Sequence, residues 1–355
     1  MKLFFRLLLI FIPIMLVSQF ISTKGQFWVS SITGNDVPTG QSAFESTLGY
    51  IPTLSLFHNL SDFSFIDFEW AYRLDSSYSG DSLVSNHEKN HRLWVRYSSE
   101  TLEARFGLQK IIFGPSQILR TLSWFDTFDL TDPTGQTDGV EALRLKWFPS
   151  NSFSVWSWAI QNEQDTVSFG GRAELSSSFG EFGLTIHSDP TKTQQFMGQT
   201  GIPIFEPHKR FALDIRHDGF VGSWLETMLI TSENSDIKML TVGADYTLPV
   251  SNGLLIMTES MFINNSESDN QTFTAIMAML PIGMVHSVLF ISQIDWKEDR
   301  TYHYLRWSAT YDQFSLNLIL SRNPKRTDYT FGEEFLPKTI AGFGTGVQIM
   351  FIYNH

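Results

Sequence analysis

From about residue 27 onward the chain is written in short segments in which large apolar side chains alternate with polar ones, and turn-forming residues separate the segments. Leu102, Ala104, Phe106 and Leu108 interleave with Glu103, Arg105, Gly107 and Gln109. After a long polar and aromatic excursion, Leu143, Leu145 and Trp147 interleave with Arg144 and Lys146. A strand has a side-chain period of two, so each segment has one apolar and one charged face. The same reading sets Ile66, Phe68, Trp70, Tyr72 and Leu74 opposite Asp67, Glu69, Ala71 and Arg73. It sets Phe211, Leu213 and Ile215 opposite Arg210, Asp214 and Arg216, and Phe314, Leu316, Leu318 and Leu320 opposite Ser315 and Asn317. In water such columns invite aggregation, whereas against hydrocarbon they are required.

The pattern predicts strands over 27–34, 43–57, 63–74, 91–98, 101–113, 139–148, 153–162, 167–176, 180–188 and 207–217. It continues over 220–231, 237–248, 254–263, 272–281, 285–296, 301–311, 313–321 and 343–354. Tight connections such as 99–100, 149–152, 217–219, 250–253 and Asp312 alternate with long ones over 75–90, 115–138, 189–207, 264–271 and 322–342. Short turns on one rim and long loops on the other predict an all-β, antiparallel up-and-down transmembrane barrel of about 18 strands (roughly 16 to 18). A barrel of that size encloses water rather than a packed core. The last strand, with Val347, Ile349, Phe351 and Tyr353 on one face, resembles the C-terminal signal read by barrel-assembly machinery, although Asn354 and His355 follow the final aromatic.

The first residues sharpen this picture. Lys2 and Arg6 precede an apolar run from Leu7 to Val17 that falls short of the ~20 residues a spanning helix needs, so residues 1–25 read as a secretory signal cut near Gly25. Residues 26–355 then form the barrel, exported to the outer membrane among lipid and lipopolysaccharide. A chain with 31 Phe, 10 Trp, 10 Tyr and no cysteine must hold itself together without disulfides, which a closed barrel does by pairing every strand. The formal charge of -12 argues against a nucleic-acid partner. Monomer and homo-oligomer both fit the pattern.

Candidate chemistry concentrates in the middle of the chain. Arg92, Arg96, Arg105, Arg144, Lys146 and Arg172 stand on polar strand faces, while the 115–138 connection carries Asp126, Asp129, Asp132 and Asp138 against Arg120. That connection also contains Ile118, Leu119, Leu122, Trp124, Phe125 and Phe128, too much apolar surface to lie in solvent, so it is expected to fold into the barrel. Arg105, Gln109, Arg120, Asp126, Asp129, Asp132 and Arg144 are the expected constriction, and Asp67, Glu69, Arg73, Arg96, Lys146 and Arg172 the expected lumen lining. Two arrangements suit these charges: a transverse field across a pore, with Arg120, Asp126 and Asp129 turned toward it, or mutual pairing that holds the loop. Trp156 and Trp158 share a face and are expected in an interfacial aromatic girdle rather than a sugar platform. His187-Ser188-Asp189 has the residue types of a nucleophilic triad without its geometry, and no H-x-H or H-E-x-x-H spacing occurs. Asp67 and Glu69 are compatible with acid and base work, but lumen lining explains them more simply. The reading is therefore of a protein without catalytic residues, metal or cofactor.

Gly107, Gln109, Phe113, Gly114, Trp124, Asp126, Asp129, Asp132, Pro133, Gly139, Val140 and Leu143 resemble a motif of bacterial outer-membrane porin-like proteins, with Leu108 and Phe113 where Arg and Trp are commoner. The resemblance implies passive passage of small hydrophilic solutes, with a constriction loop between the fifth and sixth strands. Phe113-Gly114-Pro115 is also similar to capsule-assembly barrels, which implies as an alternative a non-conducting barrel that organises surface polysaccharide.

Overall fold

A computed structural model describes residues 20–162, 165–193, 195–197, 202–204, 206–266, 268–329 and 335–355. The predicted signal is thus described only from Phe20. The strands are β1 (Phe20–Gly34), β2 (Phe44–Ser61), β3 (Ser64–Ser79), β4 (Ser82–Ser99), β5 (Leu102–Gln109), β6 (Val140–Ser150), β7 (Phe153–Gln161), β8 (Val167–Ser177), β9 (Gly180–Asp189) and β10 (Gln195–Met197). They continue with β11 (Ile202–Ile204), β12 (His208–Asp218), β13 (Gly222–Ser232), β14 (Asp236–Leu248), β15 (Leu254–Asn265), β16 (Ser268–Ile282), β17 (His286–Asp295), β18 (Arg300–Thr310), β19 (Phe314–Arg322) and β20 (Thr345–Asn354). Eighteen of them form one antiparallel sheet. It closes on itself because β1 pairs with both β2 and β20, while β9 meets β12 across the small β10–β11 hairpin. Closure leaves no unpaired edge, which is what a strand must have to lie in lipid.

The apolar columns point outward. Phe211, Leu213, Leu184 and Ile186 are exposed on β12 and β9, as are Leu316, Leu318 and Leu320 on β19. Phe68 belongs to the outward column too, yet it is buried in a cluster with Leu56 and Leu93 of the neighbouring strands.

The connections depart from expectation in two places. The predicted loops 75–90 and 264–271 are extensions of the β3–β4 and β15–β16 ladders, which turn only between Ser79 and Ser82 and between Asn265 and Ser268. These extensions are rich in Ser, Asn, Glu and His on both faces, so they lack the alternation that marks a lipid-facing strand, while backbone pairing continues regardless. β5 in turn stops at Gln109 rather than 113. There the Gln109 amide turns back to donate to the Ala142 carbonyl at 2.8 Å, and Ile111 and Phe113 enter the interior.

The inside of the barrel is divided. Strands β3 to β8 turn Asp67, Glu69, Arg96, Arg105, Arg144, Lys146 and Arg172 inward, in register with one another. From β13 to β17 the inward positions are instead Met228, Ile230, Met239, Met257, Met261, Met277, Leu289 and Ile291, all buried. Those strands are apolar on both faces, and an inner wall of that kind needs something packed against it. The connection between β5 and β6 supplies it.

Candidate functional site: the inward loop and the charged wall

Residues 110–139 cross the barrel to its apolar wall. Ile111, Phe113, Leu122 and Trp124 join Met228, Ile230, Met239 and Met261 in one buried cluster, and Ile118 joins Met257, Met277, Leu289 and Ile291 in a second. Two carboxylates stand within that wall. Glu226 on β13 accepts the backbone N–H of Ser116 at 2.9 Å and of Leu122 at 3.1 Å. Glu259 on β15 accepts those of Gln117 at 2.7 Å, Ile118 at 2.9 Å and Leu119 at 2.6 Å. A loop segment without regular structure leaves its N–H groups unpaired, and burying them without acceptors is costly. Thr241 on β14 completes the dock, donating from Oγ1 to the Leu119 carbonyl at 3.0 Å and meeting Thr121 Oγ1 at 2.8 Å.

The rest of the loop is tied around the lumen. Tyr304 donates to the Thr131 carbonyl at 2.7 Å, Gln26 to the Thr134 carbonyl at 3.3 Å, and Arg92 to the Thr137 carbonyl at 2.6 Å. Asp138 pairs with Lys89 at 2.9 Å. Burial works to raise the Asp138 carboxyl, but its bond to Lys89 and the charges of Lys89 and Arg73 bring it below the usual carboxylate range. Lys110 is lowered, first by burial and then by the charge of Arg92.

The candidate constriction residues fall into three groups. Arg120 and Asp126 are buried and pair with each other at 2.5 Å, so these two hold the loop together rather than face the lumen. Asp129 and Asp132 lie on the loop's outer edge, each accepting from the N–H and hydroxyl two residues on, Thr131 and Thr134. Arg105 and Arg144 stay on the wall, both paired with Glu103, while Gln109 is a buried brace.

Five of the six expected lining residues are likewise engaged, while Glu69 lines a cavity with Gln26, His91 and Arg92. Arg96 meets Asp67 at 2.7 Å, Lys146 meets Glu174 at 3.3 Å, Arg172 meets Asp214 at 2.6 Å, and Arg73 meets Asp75 at 2.6 Å. The wall is thus a ladder of cross-strand ion pairs rather than a bare basic strip.

Trp156 and Trp158 do not form a girdle. Both turn inward, where Trp158 stacks on Phe113 at 5.9 Å between ring centres and meets Phe125 edge-on at 5.8 Å. Lys146 lies 4.0 Å from the Trp156 ring centre. Sequence reasoning also missed Glu226 and Glu259, although a signal existed: each is an acid at an inward position within a strand otherwise apolar on both faces.

A closed barrel of eighteen antiparallel strands defines the class: the fold is that of the bacterial outer-membrane porins. Three solved structures illustrate it. OccK5 (OpdH) of Pseudomonas aeruginosa is 7% identical with a TM-score of 0.64, over 95% of this chain and 98% of that one. OpdK of the same organism, solved with vanillate, is 7% identical with a TM-score of 0.63, over 96% and 99%. The anion-selective porin from Comamonas acidovorans is 14% identical with a TM-score of 0.51, over 95% and 99%. At these identities the likeness is one of fold. No protein-family model and no curated protein matches the chain.

Proposed function

We propose that the protein is an outer-membrane channel for passive diffusion of small hydrophilic solutes, without enzymatic activity. The observation that carries this is the divided interior. The loop covers the apolar wall, and the ion-paired wall of β3 to β8 and the loop edge bearing Asp129 and Asp132 are the polar surfaces between which, on this reading, solutes pass. On this reading the loop over 115–138 is the constriction, with Asp129, Asp132, Arg105 and Arg144 setting its charge. Residues 1–25 are the cleaved signal on this reading, and cleavage would remove Phe20 to Gly25, which pair with β2 at the start of β1. Lipopolysaccharide, barrel-assembly machinery and a homo-oligomeric state belong to the same proposal. Replacing Thr121 to Gln136 by a Gly-Ser linker tests it in planar bilayers. The expected result is a larger single-channel conductance, and a folded variant with unchanged conductance removes the loop from the mechanism.

A further inference from the structure

Above the aromatic cluster, where the loop meets β6 to β9 and β12, lies a cavity of about 580 Å³ lined by Trp124, Phe125, Ser168, Asp189 and Arg210 among others. Arg210 is unlike its neighbours on the wall. Arg96, Arg105, Arg144, Arg172 and Arg216 each stand in an ion pair with a carboxylate. Among the described residues Arg210 has none, although it is only 4% exposed. Its Nε donates to His208 Nε2 at 3.0 Å and its guanidinium lies over the Trp124 ring at 5.4 Å, but Nη1 is buried without a partner. A buried guanidinium with a free donor is costly unless something accepts from it.

Two further donors beside it are in the same condition. Trp124 Nε1 is buried and unpartnered. His187, whose ring centre lies 6.2 Å from that of Trp124, accepts the Trp158 indole proton on Nδ1 at 3.2 Å. A neutral imidazole accepting on Nδ1 carries its own proton on Nε2, and His187 Nε2 is also buried without a partner. Arg210 and Trp124 thus line the cavity with unpaired N–H groups, one of them cationic, and His187 holds a third beside Trp124. Three carboxylates share the cavity: Asp189, which accepts from the Thr191 N–H at 2.9 Å, Asp165, which accepts from Gln161 at 2.8 Å, and Glu141.

We infer that Arg210, Trp124 and His187 form a binding site for a small oxyanion. Arg210 supplies charge, and the two ring N–H groups fix the orientation of the oxygens. The site goes beyond the diffusion reading and does not depend on conduction, because it can be saturated in protein that carries no current.

The test is isothermal titration of the full-length protein in detergent with inorganic phosphate and, separately, acetate, against a chloride background. The wild type is expected to show saturable binding of one or both, and the difference between them tells a tetrahedral from a planar oxyanion. Trp124→Phe keeps the ring and removes one donor, so affinity should fall roughly tenfold. Arg210→Met keeps the volume and removes the charge, and binding should be lost while the barrel stays heat-modifiable. Absence of saturable binding of either anion, or binding to Arg210→Met as tight as to the wild type, overturns the site and assigns the three donors to water.

Discussion

Removing both wall carboxylates is the sharpest perturbation of the loop. Between them Glu226 and Glu259 accept five backbone N–H groups, of Ser116, Leu122, Gln117, Ile118 and Leu119. Each buried donor left unpaired costs about 1–3 kcal/mol, so Glu226→Ala weakens docking by roughly 2–6 kcal/mol, Glu259→Ala by roughly 3–9, and the double variant by roughly 5–15. Opposing release is the burial of Ile111, Phe113, Ile118, Leu122 and Trp124. At about 1.5–3 kcal/mol for each side chain, that amounts to roughly 8–15 kcal/mol as an upper bound. Either single variant should therefore keep the loop docked, with more current noise, whereas the double variant brings docking and release into balance. Planar-bilayer recording should show larger conductance steps for the double variant only, and an externally added protease should cut its loop. A folded double variant with wild-type conductance and an uncut loop would refute the carboxylate dock.

Three other outcomes follow from the same geometry. Asp126→Asn leaves Arg120 buried without its countercharge and should lower stability by about 3–5 kcal/mol in thermal unfolding, a loss that Arg120→Met with Asp126→Leu largely recovers. Asp129→Asn with Asp132→Asn keeps an oxygen for each of the Thr131 and Thr134 backbone N–H groups and gives up only the bond from the Thr134 hydroxyl, so stability should change little while the reversal potential in a salt gradient moves toward anions; an unmoved potential takes these acids out of selectivity. Trp158→Ala removes the ring on which Phe113 stacks and should cost about 3–5 kcal/mol, read as a lower temperature of heat modification in detergent.

The lipid-facing half of the fold was legible because hydrocarbon demands apolar residues at every second position, and Leu316, Leu318 and Leu320 meet that demand without ambiguity. What period two does not reveal is which face is inward when both are apolar. On β7 one face holds Trp156, Trp158 and Ile160 and the other Phe153, Val155 and Ala159, so assigning the tryptophans outward was as consistent with the pattern as assigning them inward. The stretches TMLI on β13 and AIMAML on β16 carried the missing clue. A barrel strand with no polar face has no water beside it, and the loop's own apolar content named the partner. The acids of the loop were found by composition, but their roles were not, since a carboxylate that pairs with Arg120 and one that faces water look alike in sequence.

The methionine and isoleucine wall makes the loop a lining as much as an obstacle. Stripped of it, one side of the tube would be as oily within as without, and a film of water beside Met239, Met257 and Ile291 would tend to recede from the surface. Shortening the loop therefore should not yield a simple wider pipe. It uncovers a non-wetting strip along one flank, onto which detergent, lipid tails and apolar solutes can adsorb, so the gain in ionic current should fall short of the gain in bore. Widening this pore without fouling it requires polar residues on β13 to β17 at the same time as the cut.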